Sequence, residues 1–188
     1  MKALIQFTIF VAMAWWTVNT FAPDAQLSPT GITDIAQASK NRLAASNLEP
    51  INFGSFQSLL ADEQRRPAMV LFYASWCPHC KKQIKTFHRM EQQYGNHVDF
   101  IRISLDKSPG DLSDYLDSIP DEREFTPYYL SPDDSSSFFA SASNRYRVTA
   151  DGRIPHIVVF DDNNRNVYEH FGYQNQKLLQ RVIRSVTD

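Results

Sequence analysis

Cysteine is scarce in this chain: 188 residues hold two, Cys77 and Cys80, with two residues between them. A structural zinc centre would want two further ligands, and no second C-x-x-C supplies them. The pair is left as a structural disulfide or as a redox couple. An excess of one charge is missing too. Nineteen Lys and Arg face 21 Asp and Glu, for a net charge of −2 and a pI near 6.2. That balance excludes the basic domain or stripe of a nucleic-acid binder, so no such partner is implied. Internal repeats are absent, and low complexity is confined to residues 133–137. A chain of 188 residues that is 43% hydrophobic can bury one good core, and nothing in its length calls for two.

The balanced total hides a local asymmetry. Residues 106–134 carry nine acidic and two basic side chains, whereas residues 65–102 carry seven basic and two acidic ones. Lys81, Lys82, Lys85 and Arg89 fall in the basic stretch and read as a solvated helix face, with a modest, salt-screened field at the nearby cysteines.

Residues 3–22 are uncharged, come directly after Lys2, and are polar only at Gln6, Thr8, Thr17, Asn19 and Thr20. They read as an export signal or as a membrane anchor, and either places the folded domain outside the cytoplasm. Thr20-Phe21-Ala22 offers small residues for cleavage, although Pro23 comes next, and Trp15 and Trp16 suit a retained spanning helix equally. Residues 23–50 are rich in Ala, Ser, Thr, Asn and Gln and read as a tether. The folded domain is expected over residues 51–188.

Its chemistry concentrates in Trp76-Cys77-Pro78-His79-Cys80, where an apolar strand gives way to a basic amphipathic helix. Thiol–disulfide exchange needs an accessible thiolate and a second sulfur close enough to resolve the mixed disulfide, and a C-x-x-C that opens a helix supplies both. Cys77 sits where the first helical N–H groups lack partners and the positive end of the helix dipole favours a thiolate. Pro78 fits the first turn, where its missing N–H costs nothing. Cys80 lies one turn further in, on the stripe with Ile84 and Phe87, and is expected to be the buried partner. The His79 imidazole, as a donor or partial cation near the Cys77 sulfur, favours the thiolate further.

Periodicity gives the remaining elements. A short strand is expected at residues 51–53, a helix at 55–63, a buried central strand at 68–73, the helix from Cys77 to Tyr94 and a strand at 97–105. Prolines at 109, 120, 127 and 132 punctuate the next stretch, with short helices at 111–118 and 135–146. A strand at 154–160, a turn at 161–164, an edge strand at 167–171 and a helix at 175–186 complete the chain.

Phe72-Tyr73-Ala74-Ser75-Trp76-Cys77-Pro78-His79-Cys80 resembles the active-site segment of thioredoxin-fold oxidoreductases, in particular the TlpA-like group. Gly152-Arg153-Ile154-Pro155-His156 and the apolar run after it resemble that family's cis-proline strand. The resemblance covers residues 51–186. It implies an α/β thioredoxin fold, a central mixed β-sheet flanked by helices, with an insertion before the cis-proline strand. It also implies a thiol–disulfide oxidoreductase without a cofactor, in which Cys77 attacks and Cys80 resolves. Trp76 would shield Cys77 and meet substrate. The Ile154 backbone, beside a cis bond to Pro155, would pair with an incoming peptide. Partners would be protein thiols or disulfides, with a membrane redox partner possible, and the compartment would be the bacterial periplasm, soluble or anchored to the inner membrane. A reading of another class is a thioredoxin-fold metallochaperone, since two thiols and the His79 imidazole suit Cu(I).

Two positions depart from the thioredoxin pattern. Leu71 stands where thioredoxins carry a buried aspartate, and Arg102 stands where they commonly have a lysine, so the usual acid–base pair behind the buried thiol is missing. Pro78-His79 is the dipeptide of the strongly oxidising DsbA, which leans the site toward oxidation, while the TlpA-like likeness elsewhere implies a reductant. His156 comes after the proline as a packed or an exposed strand residue.

Overall fold

Six consecutive residues without a charge, Ala68–Tyr73, form a strand (β2) buried along its whole length, and the remaining elements are placed by what they cover on it. The computed structural model describes residues 48–61, 66–119, 126–149 and 151–187. The expected signal or anchor at 1–22, most of the tether, and Asp121, Glu122 and Glu124 lie outside the described residues.

In chain order the described elements are β1 (Glu49–Pro50), α1 (Phe53–Leu60), β2, α2 (Pro78–Tyr94), β3 (Asp99–Ser104), α3 (Pro109–Asp117), β4 (Tyr128–Tyr129), α4 (Pro132–Tyr146), β5 (His156–Phe160), β6 (Asn166–Phe171) and α5 (Gln176–Thr187). The strands make one mixed sheet in the order β1-β4-β3-β2-β5-β6. β2 runs parallel to β3 and antiparallel to β5, which in turn pairs antiparallel with β6. β2 is therefore central, and the loop after it opens at the same end of the sheet at which β5 begins, since Phe72 pairs with His156.

Successive side chains of a strand point to opposite faces, so β2 feeds two cores. Met69, Leu71 and Tyr73 join Ile84, Phe87 and Met90 of α2 and Leu179 and Ile183 of α5. Ala68, Val70 and Phe72 join Phe56 and Leu60 of α1 and Phe138, Ala142 and Tyr146 of α4. The expected α/β thioredoxin fold is the one observed, with helices on both faces of a mixed sheet. The insertion takes a specific form. α3 packs Leu112 and Tyr115 against the α2 face, and β4 slots between β1 and β3.

Element boundaries shift where caps decide them. The strand expected at 51–53 lies earlier, at Glu49–Pro50, because Asn52 and Ser55 form a capping box that starts α1 at Phe53. Pro109 and Pro132 open α3 and α4 rather than preceding them. Each occupies the first turn behind a serine cap, Ser108 or Ser131, whose hydroxyl accepts the N–H of Asp111 or Asp133 at 3.2 Å.

Candidate active site

α2 begins at Pro78, and Cys77 is its N-cap: the backbone is extended there, and the Cys77 sulfur accepts the Cys80 N–H at 3.2 Å. Cys77 and Cys80 are joined as a disulfide, with Cα atoms 5.2 Å apart. The helix supplies the rest of the local order, since Ile84, Phe87 and Met90 seat it against the sheet and leave its first turn beneath the end of β2. The cap sulfur thus occupies the position where helix N–H groups stabilise negative charge.

The two sulfurs differ less in burial than their spacing suggests. Cys80 is fully covered, and Cys77 keeps only 5% of its surface. The Ile154 carbonyl oxygen lies 3.9 Å from the Cys77 Sγ. The bond between Ile154 and Pro155 is cis, and Gly172 N–H donates to the Pro155 carbonyl at 2.7 Å, which ties this loop to the end of β6. Trp76 is 62% exposed and stands beside the disulfide as an open apolar surface. Pro78 and His79 are exposed on the first turn, and among the described residues His79 makes no hydrogen bond to either sulfur. Cys77, Cys80, Trp76, Pro78, Ile154 and Pro155 therefore meet in one place, with His79 exposed on the same turn. No group of three or more His, Cys, Asp or Glu side chains among the described residues could hold a metal ion.

Leu71 is fully buried with Cys77 and Cys80 in one core cluster, and its register partners are Arg102 and Ile157. Arg102 is buried as well, but it turns to α2: its guanidinium meets Glu91 at 2.5 and 3.3 Å and lies 5.1 Å over the Phe87 ring. Glu91 thus replaces the missing carboxylate as a partner for the β3 cation, near the far end of α2 from the sulfurs.

A carboxylate does stand behind the redox turn. Asp106, just past β3, is fully buried. It accepts the Ser75 N–H at 3.1 and 3.0 Å, the Ser75 hydroxyl at 2.7 Å and the Ser104 hydroxyl at 2.7 Å. These bonds fix the residue two before Cys77. The sequence offered one signal, an acidic residue ending an alternating strand, but only the parallel register of β2 and β3 brings it to Ser75.

His156 is buried at 2% exposure, between the rings of Phe72 and Phe171, with its Nε2 2.7 Å from a Glu169 oxygen. Burial pushes its pKa down and outweighs the Glu169 hydrogen bond that pushes it up, so at neutral pH the ring is neutral and donates from Nε2. The two residues are diagonal neighbours on the β5–β6 hairpin, because His156 pairs with Phe171. Gln83 of α2 is fully buried and accepts the Gln174 N–H at 2.7 Å, which anchors the β6–α5 loop on the redox helix.

The model of a family described as thioredoxin-like matches residues 65–167, which takes in the C-x-x-C, the Asp106 segment and the Ile154–Pro155 loop. Among curated proteins, the chain is 27% identical over 121 residues to a thiol:disulfide interchange protein TxlA homolog of Synechocystis, covering 64% of this chain and 49% of that protein. It is 40% identical over 42 residues to a thioredoxin of Borreliella burgdorferi, covering 22% and 36%. The chain thus spans about half the length of the first relative and about a third of the second. Among solved structures, a putative thiol:disulfide interchange protein DsbE from Chlorobium tepidum superposes with a TM-score of 0.55 at 22% identity, over 69% of this chain and 85% of that one. The exposed lipoprotein thioredoxin Etrx1 of Streptococcus pneumoniae gives 0.52 at 15% identity, over 67% and 89%. Both likenesses are of fold.

Proposed function

This chain belongs to the thioredoxin-like family, and we propose that within it the chain acts as an exported thiol–disulfide oxidoreductase that exchanges disulfides with protein partners. The observation that carries the reading is the Cys77–Cys80 disulfide at the N-terminus of α2 with the Ile154 carbonyl 3.9 Å from the Cys77 sulfur.

In the reducing direction, the Cys77 thiolate attacks one sulfur of a substrate disulfide. That S–S bond breaks, a mixed disulfide forms and one substrate thiolate leaves. The Cys80 thiol, having lost its proton, then attacks the Cys77 sulfur. The second substrate thiolate leaves, the Cys77–Cys80 bond closes, and two electrons have passed to the substrate. Run backwards, the same steps oxidise a substrate dithiol. Cys77 is the attacking residue because its sulfur sits at the cap, receives the helix N–H and retains the surface that Cys80 lacks. An incoming peptide would lie between exposed Trp76 and the backbone of Ile154. Export is supported by the uncharged residues 3–22 after Lys2, and an extracytoplasmic compartment suits a protein that must hold a disulfide.

Trapping tests the assignment. Cys80→Ser is expected to accumulate mixed disulfides through Cys77 when mixed with periplasmic protein, because the resolving thiol is gone, and Cys77→Ser is expected to accumulate none. Equal trapping by the two variants would overturn the roles.

A further inference from the structure

The loop that presents Ile154 to Cys77 is exposed at residues 151–153, and Gly152 adopts φ 74°, whereas Ile154 packs against the α2-side core and the buried Pro155 accepts the Gly172 N–H. A β6 side chain holds it as well. Glu169, on β6, accepts the Thr149 N–H at 2.7 Å and the Thr149 hydroxyl at 3.1 Å on one side of the loop, and bonds the His156 ring at 2.7 Å on the other. The Asn166 amide donates to the same carboxylate at 3.4 Å. One side chain therefore holds both ends of the segment that carries Ile154.

The His156 ring cannot swing to accompany the loop. Phe72 of β2 lies 5.4 Å from it at 24°, and Phe171 of β6 lies 4.2 Å away at 21°. The Arg153 guanidinium lies 4.4 Å over the Phe171 ring and is itself paired with Asp151. His156 shares the sheet face of Phe72, which belongs to the α1 and α4 side, whereas the cysteines belong to the α2 side. Glu169 and His156 thus act across the sheet, through the backbone, and touch neither sulfur.

We propose that Glu169 is a positioning residue for substrate docking, which through His156 and Thr149 fixes the backbone of Ile154 at the distance from Cys77 that an incoming peptide requires. The inference rests on the oxidoreductase reading above and adds to it the residue that sets recognition of extended peptide. Charge-assisted hydrogen bonds to a carboxylate are the stronger kind, and reacting groups must be held within a fraction of an ångström, so loosening this carboxylate costs docking before it costs chemistry. A disulfide that offers no peptide backbone has no use for Ile154 and should not notice.

The test compares insulin with hydroxyethyl disulfide as substrates, with dithiothreitol as electron source, for the full chain and for Glu169→Gln and Thr149→Val. Glu169→Gln is expected to raise KM for insulin about fivefold to tenfold, and Thr149→Val about threefold, at near-constant kcat, as loss of hydrogen bonds to a charged group suggests. Hydroxyethyl disulfide should be reduced at an unchanged rate. An unchanged KM for insulin in the folded variants, or an equal slowing of both substrates, would overturn the positioning role. Should Glu169→Gln fail to fold, Thr149→Val decides, since it removes one exposed hydroxyl. A wild-type chain that neither reduces these two disulfides nor, in its disulfide form, oxidises a reduced protein dithiol would instead remove the oxidoreductase reading itself.

Discussion

Asp106 shows how much one side chain can hold at the residue scale. Its two oxygens meet the Ser75 N–H, the Ser75 hydroxyl and the Ser104 hydroxyl, all out of contact with water. The hydroxyls can turn to other acceptors, but the Ser75 N–H cannot, and a buried unsatisfied donor costs ~1–3 kcal/mol. Asp106→Ala is therefore expected to lose about 2–3 kcal/mol in urea unfolding of the disulfide form, with part of it restored by Asp106→Asn, which keeps one acceptor. A loss within the ordinary range of a surface substitution, about 0.5 kcal/mol, would mean that the turn before Cys77 is held by something else. The Arg102–Glu91 pair belongs at the same scale. With Leu71 in place of a carboxylate, a buried cation on β3 had to find its counter-charge on α2, and its guanidinium packs on Phe87 as it does so.

At the scale of elements, the packing of β2, β5 and β6 determines how stability answers to pH. His156 stands between rings from β2 and β6 and faces Glu169 of β6, with Asp151 and Arg153 on the loop beyond. Its pKa lies below the ordinary 6.5, chiefly because burial disfavours the charged ring. Between that lowered value and 6.5 the unfolded chain binds more protons than the folded one. Stability is thus fully present above 6.5 and falls as pH drops through that window. The wild-type urea midpoint should begin to decline as pH falls below about 6.5, above the ordinary carboxylate range near 4. His156→Phe keeps a ring in the stack and should show a shallower decline, whatever its stability at neutral pH. Parallel declines for the two proteins would mean that the buried imidazole is not the titrating group.

The whole molecule decides the direction of electron flow. Thioredoxin and DsbA differ by ~150 mV, or ~7 kcal/mol for two electrons, and the gap tracks how well the reduced form's thiolate is stabilised. In this chain the cap position of Cys77 stabilises a thiolate, and Leu71 removes a buried negative charge that would oppose it. Asp106 is a carboxylate on the same side of the fold, but Ser75 and Ser104 hold it. The balance favours a comparatively oxidising site, whose signature is a reduced form that melts above the disulfide form at neutral pH. Paired melts of the two forms check this, and a clearly more stable disulfide form would assign the chain to the reductants.

The sequence by itself determined most of the elements and the place of the cysteine pair at a helix start, because these are written in local pattern, and the resemblance carried by the C-x-x-C and Ile-Pro segments implied the fold that joins them. An uninterrupted apolar strand, a helix stripe at Cys80, Ile84 and Phe87, and a cysteine one residue before a proline each require only near neighbours to be read. Caps set the remaining boundaries, and there serines and prolines were legible as breaks without showing that they begin helices. The buried polar groups were not legible, since a hydrogen bond between Ser75 and Asp106 spans 31 residues and exists only through strand register. The same holds for His156 and Glu169, which the β5–β6 hairpin makes diagonal neighbours, and for Arg102, whose counter-charge depends on how α2 crosses the sheet. Apolar burial is additive and recorded in periodicity, whereas a buried charge is tolerated only where a specific partner arrives, and only the tertiary structure decides which partner that is.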